Sequence, residues 1–120
     1  DQMGIVYNGM YFTYFEVGRT ELMRYCGLAY TEFEDKGFYL PLTQAWAKYI
    51  SSAMYDDLIE VKTRLKVKYS PLIRFDYNIL RNETTIAEGY TEHSFIDKIT
   101  RKPVRPPKIY YNAVTDFRNK

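Results

Sequence analysis

The chain has 120 residues, of which 46% are hydrophobic and 27% are charged, with a formal net charge of +2. This length provides one domain's worth of core, so residues 1–120 are predicted to form a single domain. The weak net charge does not favour nucleic acid as a partner. A single cysteine (Cys26) and a single histidine (His93) exclude an internal disulfide and a multi-histidine metal site.

No apolar run approaches the roughly 20 residues that a membrane-spanning helix needs, so no integral membrane segment is predicted. The lone cysteine and the absence of a signal-like opening segment favour a cytoplasmic location. The chain starts without methionine and in the middle of a motif, and we expect that a strand before Asp1 is missing. Thirteen tyrosines suit partly buried surfaces such as subunit interfaces and pocket walls.

Apolar or small residues recur at helical spacing over residues 11–26, which predicts one long amphipathic helix. Asn8 is the predicted N-cap, and Gly27 is predicted to end the helix. Gly18 lies inside the apolar stripe of this helix. Because glycine costs about 1 kcal/mol relative to alanine in a helix, we expect another backbone to approach closely at Gly18.

A short second helix is predicted over residues 30–36 with Thr31 as its cap, and from residue 38 the period changes to two. In residues 58–69 apolar and charged side chains alternate, which predicts a strand with one buried face and one basic, solvated face. The other predicted elements are strands over 42–53, 72–80 and 84–97, a tight turn at Asn82-Glu83, an irregular edge over 98–108 and a closing helix over 109–118. Short links favour an antiparallel sheet, whose apolar face the long helix covers. The predicted fold class is α+β.

Asp1 stands shortly before the start of the long helix. Helix N-termini present unpaired N–H groups and a partial positive charge, which suit a developing oxyanion. A carboxylate beside such donors can act as a base or a nucleophile in acyl transfer. On composition alone, a solvated loop aspartate is the plainer interpretation.

Two motifs change that interpretation. The first reads D-x-x-G-I-V-Y-N-x-x-Y from Asp1 to Tyr11 and continues as Y-F-E-x-G-R-x-E from Tyr14 to Glu21. The second reads A-x-Y-D-D-x-I-x-V-x-T over residues 53–63. Together they resemble the 4-hydroxybenzoyl-CoA thioesterase family, including its YbgC-like acyl-CoA branch. The resemblance implies a hotdog fold, in which an antiparallel sheet wraps around one long helix, and an enzyme that hydrolyses acyl-CoA. It also implies a homodimer, with pairing into a tetramer left open.

The resemblance also implies roles for individual residues. Asp1 matches the catalytic aspartate, which acts as nucleophile or as general base on water. The backbone N–H of Asn8 matches the donor that polarises the thioester carbonyl, and Gly4 matches the glycine that lets the loop pass close to the substrate. Tyr7 is placed with these catalytic residues and Tyr11 with the substrate-binding residues. No cofactor is expected, because CoA is part of the substrate.

Basic residues and a loop serine further along the chain are candidates for contact with the phosphates of CoA, since lysine and arginine are the usual phosphate partners. These candidates are Lys66, Lys68, Ser70, Arg101 and Lys102. A charged strand face that is simply solvated is the alternative interpretation.

Other side chains are given structural roles. Glu16 and Arg19, three residues apart on the helix, are predicted to form an ion pair. His93 is predicted to be structural or at the surface. Trp46 and Tyr49 are predicted to lie in the core or in an interface, with pocket lining as the alternative.

Two further functions stay open. A hotdog hydratase pairs an acid with a histidine, but His93 stands in no recognisable dyad motif with Asp1. A non-catalytic acyl-CoA-binding module would keep the pocket and dispense with the carboxylate, and the presence of Asp1 counts against it. The sequence decides neither the acyl group nor the choice between nucleophile and general base.

Overall fold

A computed structural model of the chain describes residues 9–54, 56–66, 70–108 and 110–112. Its helices and strands are α1 (Met10–Tyr25), α2 (Tyr30–Asp35), β1 (Phe38–Tyr39), β2 (Leu42–Tyr49), β3 (Ile59–Lys66), β4 (Leu72–Arg81), β5 (Thr84–Ser94) and β6 (Ile96–Asp97). Two predicted strands change most: the strand over 42–53 ends at Tyr49, and the strand over 84–97 divides into β5 and β6. Residues 108 and 110–112 are helical, and 109 and 113–118 of the predicted closing helix lie outside the described residues.

Four strands form one sheet in the order β2-β5-β4-β3, and β1 pairs with β6 in a separate two-stranded sheet. All neighbouring strands are antiparallel, as the short links predicted. Asn82 and Glu83 connect β4 to β5 with positive φ angles of 50° and 68°. Positive φ at both central residues is typical of a two-residue hairpin turn that follows the twist of the strands. The predicted tight turn is confirmed.

Helix α1 packs on one face of the four-stranded sheet. Phe15 is fully buried and stacks on Tyr77 of β4, with the ring centroids 4.4 Å apart. On β3, Leu65 is buried whereas Lys62 and Arg64 are exposed, so the predicted alternation between a buried and a basic face is confirmed. The predicted α+β class, with one long helix against an antiparallel sheet, is confirmed as well.

Two glycines allow α1 to lie close to the sheet. A Cβ atom on Gly18 would collide with the side chains of Thr63 and Val61 on β3. The prediction that another backbone approaches Gly18 is therefore wrong, because side chains occupy that space. A Cβ atom on Gly89 of β5 would meet the Phe15 ring at 2.7 Å. At both positions glycine leaves room for larger residues of the facing element.

Neither predicted helix cap is found. α1 begins at Met10, with Gly9 in the cap position and no capping side-chain hydrogen bond. The prediction of Asn8 as N-cap is wrong by one residue, and Asn8 itself lies outside the described residues. The cap position of α2 is held by Ala29, whose extended backbone makes the entry into the helix. The prediction of Thr31 as the cap is wrong for this reason.

The C-terminal end of α1 is closed by backbone hydrogen bonds. Gly27 donates its N–H to the Arg24 carbonyl and Leu28 donates to the Met23 carbonyl, each at 2.9 Å. This pair of bonds is the Schellman pattern that commonly ends helices, and the predicted helix end at Gly27 is confirmed. In the described part of the chain, no helix has the length and apolar character needed to cross a membrane.

Candidate active site at the start of the long helix

The residues predicted to be catalytic, Asp1, Gly4, Tyr7 and Asn8, lie outside the described residues, as does Lys68. The structure describes the helix start to which they lead. The first N–H groups of an α-helix have no partner within the helix. In α1, the residue at the cap position, Gly9, has no side chain, and the first turn contains no acidic residue. The start of α1 therefore offers backbone donors and the positive end of the helix dipole.

Tyr11 fixes the start of α1 against the end of β2. Its side chain is 1% exposed, and its ring centroid lies 5.2 Å from that of Tyr49. Its hydroxyl accepts a hydrogen bond from the backbone N–H of Ala53 at 3.2 Å. The contact of Tyr11 with substrate stays a prediction.

Asp57 holds the loop between β2 and β3. Its carboxylate accepts a hydrogen bond from the Met54 N–H at 2.7 Å and pairs with Arg81 at 3.3 Å. Arg81 also donates to the Ser52 carbonyl at 2.7 Å. The bond from the Met54 N–H, together with Arg81, holds the pKa of Asp57 below its usual value. The structural effect of this carboxylate is to keep Ala53 beside the helix start.

The two sequence motifs meet in the structure. Tyr11 of the first motif contacts Ala53 of the second. Gly18 of the first motif faces Val61 and Thr63 of the second. These motif residues therefore set the position of α1 on the sheet, and thereby the position of the helix start.

The predicted ion pair between Glu16 and Arg19 is wrong. The four ion pairs among the described residues include neither side chain. Arg19 instead lies near the Tyr77 hydroxyl, which is 2.6 Å from Thr91 Oγ1. The physical reason is position: Glu16 is exposed, whereas Arg19 is half-buried and reaches the polar groups under the helix.

His93 lies at the other end of these polar contacts. It is 2% exposed, its Nε2 is 3.1 Å from Thr91 Oγ1, and its ring is edge-on to that of Phe75 at 5.6 Å. Burial, followed by the positive charge of Arg19, lowers the pKa of His93 to about 4, although the Leu40 backbone acts in the opposite direction. His93 is therefore neutral at pH 7, in agreement with a structural role. Its buried position follows from the alternation along β5, in which Thr91 and His93 share the inner face.

Two candidates for CoA contact lie around the β3–β4 connection. Lys66 is exposed at the end of β3 and pairs with Asp76 at 3.6 Å. Ser70 accepts a hydrogen bond from the Leu72 N–H through Oγ at 3.1 Å. Leu72 pairs with Ser94 at the end of β5, which places this connection at the same edge of the sheet as β6.

Arg101 and Lys102 lie in the turn after β6. The Arg101 guanidinium is 5.3 Å from the ring centroid of Tyr39 on β1. The Lys102 carbonyl accepts a hydrogen bond from the Asp97 N–H at 3.0 Å, which closes the turn. Both basic side chains are exposed. The structure thus brings Ser70, Arg101 and Lys102 to one edge of the molecule, which we call the basic edge.

This basic edge lies away from the start of α1. Tyr11, near the helix start, contacts Tyr49 at the end of β2. Arg19, further along the helix, is close enough to His93 to lower its pKa. His93 in turn pairs with Leu42 at the start of β2. The 16 residues of α1 span about 24 Å. Within one chain, the basic edge therefore lies toward the Arg19 side of the molecule and away from the helix start.

Trp46 and Tyr49 are not core residues. They lie on β2, an edge strand of the sheet, and are 44% and 42% exposed. Trp46 stacks on Tyr90 of β5, with centroids 5.8 Å apart. Leu42 and Ile50 are also exposed, so large apolar side chains follow the whole length of this edge.

The amino-acid sequence matches the model of the thioesterase-like superfamily over residues 1–114. The chain belongs to that superfamily. The expectation of a thioester-hydrolysing enzyme is confirmed at the level of the family. The match includes both sequence motifs and the stretch that leads into α1.

Individual relatives agree with this assignment. The acyl-CoA thioesterase YbgC of Haemophilus influenzae is 28% identical over 109 residues, which are 90% of this chain and 80% of that protein. The crystal structure of DHNA-CoA thioesterase from Staphylococcus aureus is 28% identical with a TM-score of 0.86, and the match covers 99% of this chain and 83% of that one. A hypothetical protein from Aquifex aeolicus is 30% identical with a TM-score of 0.86, covering 94% and 88% of the two chains. The YbgC-like resemblance and the hotdog fold are confirmed.

Proposed function

We propose that this protein is an acyl-CoA thioesterase, which adds water to a thioester and releases the free acid and CoA. The family match over residues 1–114 is the observation that carries the proposal. The uncapped start of α1 supports it, because preorganised N–H donors stabilise the charge that develops on a carbonyl oxygen. The reaction needs no cofactor, since CoA enters as part of the substrate.

In the proposed reaction Asp1 acts in one of two ways. As a general base it removes a proton from water, the water oxygen attacks the carbonyl carbon, and the N–H of Asn8 meets the charge on the carbonyl oxygen. The C–S bond then breaks, and the CoA thiolate leaves and takes up a proton. As a nucleophile the Asp1 carboxylate attacks the thioester carbonyl, the C–S bond breaks, and the CoA thiolate leaves and takes up a proton; water then hydrolyses the resulting anhydride. A single turnover in ¹⁸O-labelled water separates the routes, because only the anhydride route can leave label in the Asp1 carboxylate.

We propose a homodimer formed through β2. An edge strand presents backbone N–H and C=O groups that pair readily with a strand of another chain. The large apolar side chains on and beside β2 are between 42% and 53% exposed, and they are Leu42, Trp46, Tyr49 and Ile50. Contiguous exposed apolar surface marks interaction sites. A two-fold axis would pair β2 with its own copy in antiparallel orientation.

This arrangement would complete the active site across the interface. The end of β2, at Tyr49, lies beside Tyr11 and the helix start, whereas its beginning, at Leu42, lies toward Arg101 and Lys102. Antiparallel pairing therefore brings the basic edge of one subunit toward the helix start of its partner. We place the phosphates of CoA on that edge. The further contributors there are Lys66, Lys68 and Ser70.

We also propose that residues 1–120 form one domain and that the protein works in the cytoplasm. Residues from α1, α2, β3, β4 and β5 contribute to one buried apolar cluster. Burial raises the pKa of the Cys26 thiol, which keeps it in the unreactive thiol form at neutral pH. A lone free cysteine suits a reducing compartment.

The test of this function is a panel of acyl-CoA substrates with the purified protein, in which the release of free thiol is measured. The panel includes short aliphatic, long-chain and aromatic acyl groups, each also offered as the acyl-pantetheine without the nucleotide. We expect hydrolysis of at least one class, with a higher KM for the acyl-pantetheine because the phosphate contacts are lost. Binding without thiol release for every class would overturn the proposal in favour of a non-catalytic acyl-CoA-binding module.

A further inference from the structure

A cavity of about 220 Å³ lies between the second half of α1 and the inner faces of β4 and β5. Its lining residues are Arg19, Thr20, Met23, Arg24, Ala29, Leu40, Phe75 and His93. A surface hollow of about 370 Å³ shares four of these residues and extends to Leu42 on β2. The cavity therefore adjoins a hollow that leads toward the edge strand.

Polar groups beside the cavity form a chain of hydrogen bonds. The Tyr77 hydroxyl lies near the charge of Arg19 and is 2.6 Å from Thr91 Oγ1, where either oxygen can donate. Thr91 Oγ1 is also 3.1 Å from Nε2 of His93, which accepts when the Thr91 hydroxyl is the donor. A neutral imidazole with an accepting Nε2 carries its proton on Nδ1. That Nδ1 is buried near the Leu40 backbone and has no hydrogen-bond partner of normal geometry among the described residues.

The charge in the cavity is positive. Arg19 is half-buried and takes part in none of the ion pairs found among the described residues. Arg24, at the same cavity, is already paired with Glu21 at 2.9 Å. Glu16 lines the outer hollow and not the cavity. A partly buried cation without a counter-ion favours the entry of an anion.

We propose that this cavity binds a small carboxylate with an apolar body, whose carboxylate is held by the Arg19 guanidinium and the Nδ1–H of His93. Met23, Leu40 and Phe75 supply apolar walls for the body. An apolar cavity of about 150 Å³ accommodates benzene, so this cavity has room for one ring with its carboxylate. Such a carboxylate arrives either as a free acid or as the distal end of an acyl chain. The second source rests on the proposed thioesterase function.

The first test uses the whole protein and benzoate. Because His93 is the only histidine in the chain, its imidazole C–H signals in NMR report on the cavity without ambiguity. We expect benzoate to shift these signals saturably. Benzamide, which has the same ring without the charge, should bind roughly tenfold more weakly or worse, and acetate, which lacks the apolar body, should also bind more weakly. A benzoate shift that does not saturate, or equal binding of benzamide, would overturn the proposal.

Matched variants locate the binding charge. Arg19→Gln should weaken benzoate binding roughly tenfold or more, because a charge-assisted hydrogen bond is lost. Arg64→Gln makes the same change of charge at an exposed position on β3 outside the cavity lining, so binding should stay within about twofold. Equal losses of benzoate affinity in the two variants would show that only the overall positive charge of the protein matters, which would contradict a binding site at Arg19.

A second variant keeps the test decisive if Arg19→Gln unfolds. Ala29→Leu adds volume at the exposed edge of the cavity and leaves Arg19 and His93 in place. We expect it to abolish the saturable shift of the His93 signals by benzoate. Undiminished benzoate binding in the folded Ala29→Leu protein would show that the ligand lies elsewhere.

Hydrolysis of glutaryl-CoA and pentanoyl-CoA separates the two sources, because these acyl chains have equal length and only the first ends in a carboxylate. If the distal carboxylate enters the cavity, Arg19→Gln should lower the ratio of the two kcat/KM values by roughly tenfold. An unchanged ratio with benzoate binding intact in the parent protein assigns the site to a free acid. If no acyl-CoA is hydrolysed, the thioesterase proposal fails while the benzoate titration still decides the carboxylate site.

Discussion

The two ends of α1 differ in how their backbone groups are satisfied. At the start, Gly9 supplies no capping side chain and the first turn has no acidic residue. At the end, bonds from Gly27 and Leu28 close the last turn, and Arg24 places a positive charge near the negative pole of the helix. The end is closed by backbone bonds, whereas among the described residues no side chain caps the start, as the proposed use of its donors requires.

The surroundings of the two ends differ as well. Around the start, the ring of Tyr11 meets those of Tyr14 and Tyr49 at 5.8 and 5.2 Å. Toward the other end, Arg19 and His93 line a cavity. The proposed hydrolysis and the proposed carboxylate site thus lie at opposite ends of one helix, and pairing through β2 would bring them together between subunits.

The largest effect on stability is expected where α1 is anchored between its two ends. Phe15→Ala removes a fully buried ring stacked on Tyr77 and should lower the free energy of unfolding by about 3–5 kcal/mol. Phe12 lies on the same helix and is 40% exposed, so Phe12→Ala should cost about 1 kcal/mol or less. Urea unfolding followed by circular dichroism measures both. Equal losses would show that Phe15 is not the anchor.

The cavity end should respond to acid through His93. Its pKa is about 4 in the folded protein against 6.5 for an unperturbed histidine, so the unfolded chain binds more protons between these values. The stability associated with neutral His93 is therefore fully present above pH 6.5 and is lost as the pH falls toward 4, by on the order of 2–3 kcal/mol.

A His93→Gln variant is the control for this pH dependence. Comparison of the free energies of unfolding at pH 7 and pH 5 isolates the histidine, because few carboxylates titrate in that range. We expect the loss between the two pH values to be clearly smaller in the variant than in the parent. Equal losses would mean that His93 is not the group responsible.

A smaller effect is expected at the start of α1. Tyr11→Phe removes the acceptor for the buried Ala53 N–H and should cost about 1–2 kcal/mol, because that donor is left unsatisfied. Tyr25 is on the same helix and 76% exposed, so Tyr25→Phe should change stability by about 0.5 kcal/mol at most. Hydrogen exchange at the Ala53 amide should accelerate in the first variant only. An unchanged exchange rate in Tyr11→Phe would show that the hydrogen bond from Ala53 to Tyr11 does not protect this amide.

The smallest effect is expected from the surface pair at the end of α1. Arg24 and Glu21 are 2.9 Å apart, but their side chains are 69% and 46% exposed. Exposed pairs gain little in water, so Arg24→Gln should cost about 0.5 kcal/mol or less. Urea unfolding measures the change in the free energy of unfolding. A loss larger than that of Tyr11→Phe would contradict the expectation that the contact at the start of α1 stabilises the protein more than this surface pair at its end.

Local patterns predicted the elements well because the forces behind them act between near neighbours. Helical spacing located α1, alternation located β3 and β4, and Asn82-Glu83 marked the hairpin turn. The sequence did not decide whether Trp46 and Tyr49 lie in the core or in an interface, because their exposure depends on β2 being an edge of the sheet. Strand order is a property of the whole fold and leaves little trace in a single strand.

The site was only partly predictable, because its contacts join residues that are far apart in the sequence. The helix start follows from the apolar pattern, but the bond from Ala53 to Tyr11 joins residues 42 positions apart. Arg19 was assigned to Glu16 because spacing along a helix suggests it, whereas the fold places Arg19 near the Tyr77 hydroxyl. The alternation along β5 gave a signal for burial of His93, but nothing local indicated the cavity beside it.

The central claim is that the carboxylate of Asp1 works at the bare start of α1 to hydrolyse a thioester. Its most direct test compares Asp1→Asn with Asp35→Asn, the same change at an exposed position on α2, in kcat/KM and in CoA affinity. For Asp1→Asn we predict a loss of roughly 10²–10⁴ in kcat/KM with CoA affinity kept within about threefold, and for Asp35→Asn no change. An Asp1→Asn protein that hydrolyses acyl-CoA as fast as the parent would contradict the claim.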